Sequence, residues 1–205
     1  MIDLDYAARQ IAGVWNMAWN REGWAAGLDR SVDGVFHSFW GILFAAPFAL
    51  LGVVSLRRAA SRIAEFPSSA LLDAPFAFAV TTEMTAYVVD WAASLAALVL
   101  AARAMGASRR VADVIIGFNW LQPMIAIAEA APLAIISFVS RRELLGVLLL
   151  PMFAFVLAVT WGVLRRSLAA NVSTTVGLIA LVVIVGFFAR SIVGVVALSL
   201  LHVLS

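Results

Sequence analysis

The stretch Phe76–Ala102, FAFAVTTEMTAYVVDWAASLAALVLAA, decides the fold. It is longer than the roughly 20 residues that a helix needs to cross a hydrocarbon core about 30 Å thick. Yet it carries Glu83 and Asp90 inside the apolar run. An ionised group in hydrocarbon is expensive, so such residues turn toward a protein interior or a wet cavity and find partners there. Glu83, Tyr87, Asp90 and Ser94 follow i, i+4, i+7, i+11, which lines one face of a helix. The segment reads as a membrane-spanning helix with a single polar stripe.

Outward from it, four more apolar runs reach spanning length: Phe36–Leu56, Val111–Val139, Leu144–Leu164 and Val176–Leu204. Composition agrees, because 64% apolar and only 13% charged residues lie well outside the soluble range. Open sheets do not survive in lipid, so the runs are helices. The expected fold is all-α, a polytopic bundle of about five transmembrane helices in residues 34–205, preceded by an N-terminal amphipathic interfacial segment in residues 1–33. Arginine pairs at Arg57–Arg58, Arg109–Arg110, Arg141–Arg142 and Arg165–Arg166 mark the span ends. The stretch Pro67–Pro75 reads as a loop, with Asp73 a candidate cap for the second span.

The first 33 residues hold Asp3, Asp5, Arg9, Arg21, Glu22, Asp29, Arg30 and Asp33 and no spanning run. Leu4, Ala8, Ile11, Trp15 and Ala18 recur at helical spacing, opposite Asp5, Arg9, Asn16 and Asn20. That pattern predicts a helix lying on the bilayer, or a docking element for a partner, with Trp15, Trp19 and Trp24 as interfacial anchors. The acidic opening and the missing apolar core argue against a signal peptide.

Arginine is the only strongly basic residue, 14 copies with no lysine, which points to a GC-rich bacterial genome. With the N-terminus inside, the inner segments hold Arg9, Arg21, Arg30, Arg103, Arg109, Arg110, Arg165 and Arg166. The outer ones hold Arg57, Arg58, Arg62, Arg141 and Arg142. The positive-inside rule therefore favours a cytoplasmic N-terminus in a multi-pass protein of the bacterial inner membrane. These arginines cluster at span ends and form no basic face, which excludes nucleic acid as the expected partner. The absence of cysteine removes disulfides and thiolate metal sites.

The polar candidates inside the spans are Glu83, Tyr87, Asp90, Asn119, Gln122, Glu129 and Arg190. At about 1.5 Å rise per residue, Asp90, Gln122 and Arg190 fall near mid-depth. Glu83 and Glu129 fall on one side of it at similar depth. Arg190 has Gly186 and Gly194 four residues to either side, room for another helix to approach, and is expected to pair with Asp90. Three acids against one base leave Glu83 and Glu129 without a cation, the raw material of a proton site. Hydrogen bonding that holds helices in register is the alternative use of the same residues. Pro123 and Pro132 offer places where the third span breaks and exposes carbonyls to a cavity.

No G-x-S-x-G elbow, H-E-x-x-H pair or glycine-rich phosphate loop is present, so no catalytic residue and no cofactor is assigned. His37 and His202 fall at opposite membrane faces, which prevents a shared haem or metal. Five spans after a short inner-side N-terminal segment resemble the Yip1-like group of small membrane proteins. Leu72-Asp73-Ala74-Pro75 lies near the place of the eukaryotic members' D-L-x-G-P type signature, which is itself missing. The resemblance implies a non-catalytic role in membrane organisation or partner binding. The expected function is that of a scaffold, assembly factor or accessory subunit in contact with the lipid bilayer and with a protein partner or a second copy. The alternative is a small oligomeric proton-linked transporter or channel using the acids of spans two and three.

Overall fold

The computed structural model describes residues 3–63, 73–139 and 143–204, and every long element among them is a helix. In chain order these are α1 (Leu4–Ala18), α2 (Val32–Ser38), α3 (Trp40–Arg62), α4 (Phe76–Ala104), α5 (Val111–Val139), α6 (Leu144–Ser167) and α7 (Val172–Leu204). Five stretches are long and apolar enough to cross a membrane: Val32–Arg62, which joins α2 to α3, then Phe76–Ala104, Ser108–Val139, Gly146–Ser167 and Val172–Val203. The fifth is one unbroken helix through Arg190. The Arg141–Arg142 pair and most of the Pro67–Pro75 loop lie outside the described residues.

Helix α5 is the axis of the bundle. Every residue from Ile116 to Pro123 is buried, which no helix with one free face achieves. Helix α3 runs parallel to it, with Gly41 against the Asn119 carbonyl, Gly52 near Ala130, and Arg62 donating to the Ser137 carbonyl at 3.3 Å. Helices α4 and α6 run antiparallel to it, as Trp91 meets Asn119 while Ala102 joins Val114, and Val163 meets Gly117 while Leu148 packs at Ile136. Helix α7 closes the outside by packing antiparallel on α4, with Leu178 in the Leu98 cluster and Arg190 at Asp90.

Pro123 and Pro132 do not break α5, which continues through both. Proline removes the bond to the carbonyl four residues earlier, and for Pro123 that carbonyl belongs to Asn119. Gly41 lies on it, where an added Cβ would collide. The freed carbonyl is thus covered by a glycine Cα of α3, a weak C–H···O contact, and no cavity is needed there. The Asp73 cap also fails: α4 starts directly after Pro75, with no side-chain cap. Proline fits that position because the first amides of a helix lack intrahelical partners in any case.

Helix α1 forms, but of the expected stripe only Ala18 is fully buried; Ile11 and Trp15 are partly covered by the core, and Leu4 and Ala8 are exposed. Ala7, Gln10, Gly13, Val14, Met17 and Ala18 face inward, while Leu4 is 72% exposed. The helix packs on α5 and α6, and Val14 and Met17 share a core with Ile116, Trp120 and Val163. Small residues decide the rotation. Gly162 abuts the Ala18 backbone and Gly13 abuts Gly27, approaches that a bulkier side would block. Gln10 enters the buried face because its side-chain oxygen accepts from the Asp29 amide at 3.0 Å. Trp15 packs on Phe155 and Trp24 on the same core, so of the three tryptophan anchors only Trp19 is exposed.

Candidate functional site

Asp90 stands fourteen residues from either end of α4, and Arg190 lies two residues beyond the centre of α7. Arg190 Nε donates to Asp90 Oδ2 at 2.8 Å, and Ser94 Oγ, one turn along α4, donates to Asp90 Oδ1 at 3.2 Å. Gly186 permits the approach, since a Cβ there would sit 2.6 Å from Asp90 Oδ1. Gly194 plays no such part: its surroundings are open. The pair is not sealed, because 44% of the Arg190 side chain and 25% of Asp90 remain accessible.

Two adjoining cavities flank this pair, of about 170 Å³ and 150 Å³. Tyr87, Glu129 and Arg190 line both. Asp90, Gln122 and Thr160 belong to the first, Glu83 and Gly52 to the second. The helical stripe on α4 and Glu129 of α5 therefore meet in one groove along α4, α5 and α7, containing three carboxylates and one guanidinium. The Tyr87 hydroxyl is buried there without a hydrogen-bond partner among the described residues. A polar atom so placed is a standing demand for a partner.

Asn119 does not join this groove. Its Oδ1 accepts from Trp91 Nε1 at 3.0 Å and its Nδ2 donates to Ser38 Oγ at 2.9 Å, while Ser38 Oγ donates to the Val35 carbonyl at 2.6 Å. This chain of bonds ties α2, α4 and α5 together and is closed on itself. Helical spacing put Asn119 beside Gln122, but the two point to different neighbours. Gln122 lines the first cavity and donates to the Phe118 carbonyl at 3.2 Å.

Two further polar sites carried no readable signal in the sequence. Asp113, in the first turn of α5, is buried and held by a two-pronged bond from Arg30, whose Nε donates to Oδ1 at 2.6 Å and whose Nη2 pairs with Oδ2. One residue before Arg30, Asp29 Oδ2 accepts from the Tyr6 hydroxyl of α1 at 3.0 Å. Burial, reinforced by that bond, pushes the Tyr6 phenol up to about 12. Hydrogen bonds from Ser31 hold the Asp29 carboxyl below its ordinary range. Only an acid three residues into an apolar run hints at the first of these, and nothing local names its partner 83 positions away.

Among the described residues no group of three or more His, Asp or Glu side chains is arranged to hold a metal ion. The fold and groove define an all-helical protein with five candidate membrane spans and a polar, laterally open groove at mid-length. The chain matches no protein-family profile, no curated protein and no solved structure.

Proposed function

We propose that this chain is a non-catalytic, multi-pass protein of a bacterial inner membrane, with its N-terminus cytoplasmic, that serves as a scaffold, assembly factor or accessory subunit of a membrane complex. The observation that carries the reading is the exposed half of Arg190. In hydrocarbon a guanidinium left partly exposed at mid-depth is costly even when one nitrogen is paired, so the groove calls for a protein surface that supplies further polar partners. Helix α7 offers the place: it packs mainly on α4, and leaves exposed Val183, which lines the groove, and Phe187, one turn further on. The Yip1-like resemblance implies the same kind of role.

A photo-crosslinking residue at Phe187 in native membranes tests this, with Leu150 on α6 as the comparison. Discrete protein adducts from Phe187 and few from Leu150 are expected; lipid adducts alone from both would end the reading. The second reading, a proton-linked transporter, draws on three carboxylates facing one guanidinium around two cavities. Proteoliposomes holding a pH-sensitive dye distinguish it. A transporter moves protons under a gradient and loses coupling in Glu83→Gln or Glu129→Gln while still folded. A scaffold moves none.

A further inference from the structure

A third cavity, about 490 Å³ and larger than either part of the groove, lies where the ends of several helices meet. Arg110, Arg165, Arg166, Asn20 and Trp24 line it, and no carboxylate does. Arg110 stands immediately before α5, and Arg165 and Arg166 lie in the last turn of α6. The cavity therefore sits at the level of span ends, where lipid headgroups would be.

The three arginines are not equivalent. Arg166 is engaged: Nε donates to Asn20 Oδ1 and Nη1 to the Ala18 and Gly162 carbonyls, each at 2.9 Å. It closes the C-terminal end of α1 and fixes one wall. Arg165 and Arg110 pair with no carboxylate among the described residues, since the nearby Asp113 is taken by Arg30. A basic residue in the last turn of α6 answers the negative end of the helix dipole. Arg110 has no such excuse, because it sits at the N-terminal, positive end of α5. Its position adds like charge to like charge.

Hydrogen-bonded turns form the walls. Asn20 and Ala169, both in the left-handed region at φ 53° and 47°, terminate α1 and α6 and both line the cavity. Each turn is closed by a backbone bond spanning five residues, Arg21 to the Asn16 carbonyl and Ala170 to the Arg165 carbonyl, both at 2.9 Å. Trp24 forms a further wall, with the Arg30 guanidinium 6.0 Å from its ring centre. A preformed basic recess without acidic lining, between helix ends at headgroup depth, matches the recesses that hold phosphate headgroups.

We propose that this recess binds the phosphate of an anionic ligand, its position favouring the headgroup of an anionic phospholipid. This rests on reading the five long helices as spans, and not on the scaffold role.

The test uses the full chain in bilayer discs of phosphatidylcholine containing a minor fraction of phosphatidylglycerol or cardiolipin, followed by gentle extraction and native mass spectrometry. Wild type should retain the anionic lipid. Arg110→Gln with Arg165→Gln should weaken retention about thirtyfold, two arginines' worth of surface attraction. Arg103→Gln with Arg109→Gln removes the same charge from the same side outside the recess, and should change little. Equal losses in the two double variants would overturn the site in favour of diffuse attraction, as would equal retention of phosphatidylcholine by wild type. In detergent without lipid, inorganic phosphate and glycerol phosphate are titrated against protein fluorescence. Saturable binding that disappears in the Arg110 and Arg165 variant would assign the same phosphate chemistry to a soluble source. Incorporation into the discs reports separately on the spanning reading, since all variants change only helix-end side chains.

Discussion

Arg190 reaches across from α7 to Asp90 on α4, 100 residues earlier in the chain, with Gly186 pressed against the carboxylate it binds. The contact joins an outer helix to the bundle at mid-length. Removing Arg190 leaves the groove's carboxylates without their cation, and removing Asp90 leaves the guanidinium without the acceptor it is bonded to, at a cost of up to about 3 kcal/mol in this partly accessible pair. Asp90→Asn and Arg190→Gln should each destabilise strongly, and the double variant should lose less than the sum. Additive losses in detergent unfolding would refute the coupling.

Gly186 makes a separate prediction. Gly186→Ala places a methyl 2.6 Å from Asp90 Oδ1 and must displace that carboxylate or separate α7 from α4. Overpacking of this kind costs about 1–3 kcal/mol. Gly194→Ala meets nothing within 4 Å and should cost nothing measurable, so a thermal unfolding comparison of the two isolates the contact from helix propensity.

Ala169 terminates α6 with φ 47°, a conformation that costs a residue with a Cβ about 1–2 kcal/mol. Ala169→Gly should therefore stabilise by about 1 kcal/mol. Asn20→Gly relieves the same kind of strain at φ 53° but removes the acceptor of Arg166 Nε. It should gain less or lose, and equal gains at both positions would show that the Arg166 bond contributes nothing.

Arg30 secures the N-terminal connector to α5 through the buried Asp113. Arg30→Gln leaves that carboxylate uncompensated, and the effect should appear locally, as faster proteolysis or hydrogen exchange between α1 and α2. Asp113→Asn in the Arg30→Gln background should restore much of the protection. No rescue would mean that the pair is incidental.

Tyr6 and Asp29 give opposite pH signatures. The Tyr6 phenol is raised from 10.0 to about 12, so its stabilisation is complete below pH 10 and is lost as pH rises toward 12. The Asp29 carboxyl is lowered from 3.8, so its contribution is present above that value and falls away as pH drops through the depressed one. Tyr6→Phe should reduce the alkaline loss and leave most of the acid one, which Ser31 chiefly sets. An unchanged alkaline limb would refute the assignment.

The sequence by itself determined that the long elements are helices, that five stretches reach spanning length, and which charges sit near mid-length. Those properties are local: the length of an apolar run sets a candidate span, and the helical period carries Glu83, Tyr87, Asp90 and Ser94 to one face wherever the helix packs. It was equally sufficient for the Asp90 and Arg190 pairing, because one base near the centre has few acids at its depth.

Only the tertiary structure decided how each helix is rotated and which others it meets. Helices α5 and α7 are apolar on almost every side, so no stripe in their sequences tells inward from outward. Asn119 consequently leaves the groove for Trp91 and Ser38, and α1 turns Ala7, Val14 and Met17 inward in place of Leu4 and Ala8. Those rotations follow from close approaches to neighbouring backbone at Gly13, Gly41 and Gly162, and to the Asp90 carboxylate at Gly186. Such fits depend on two surfaces at once, and a single stretch of sequence describes only one of them.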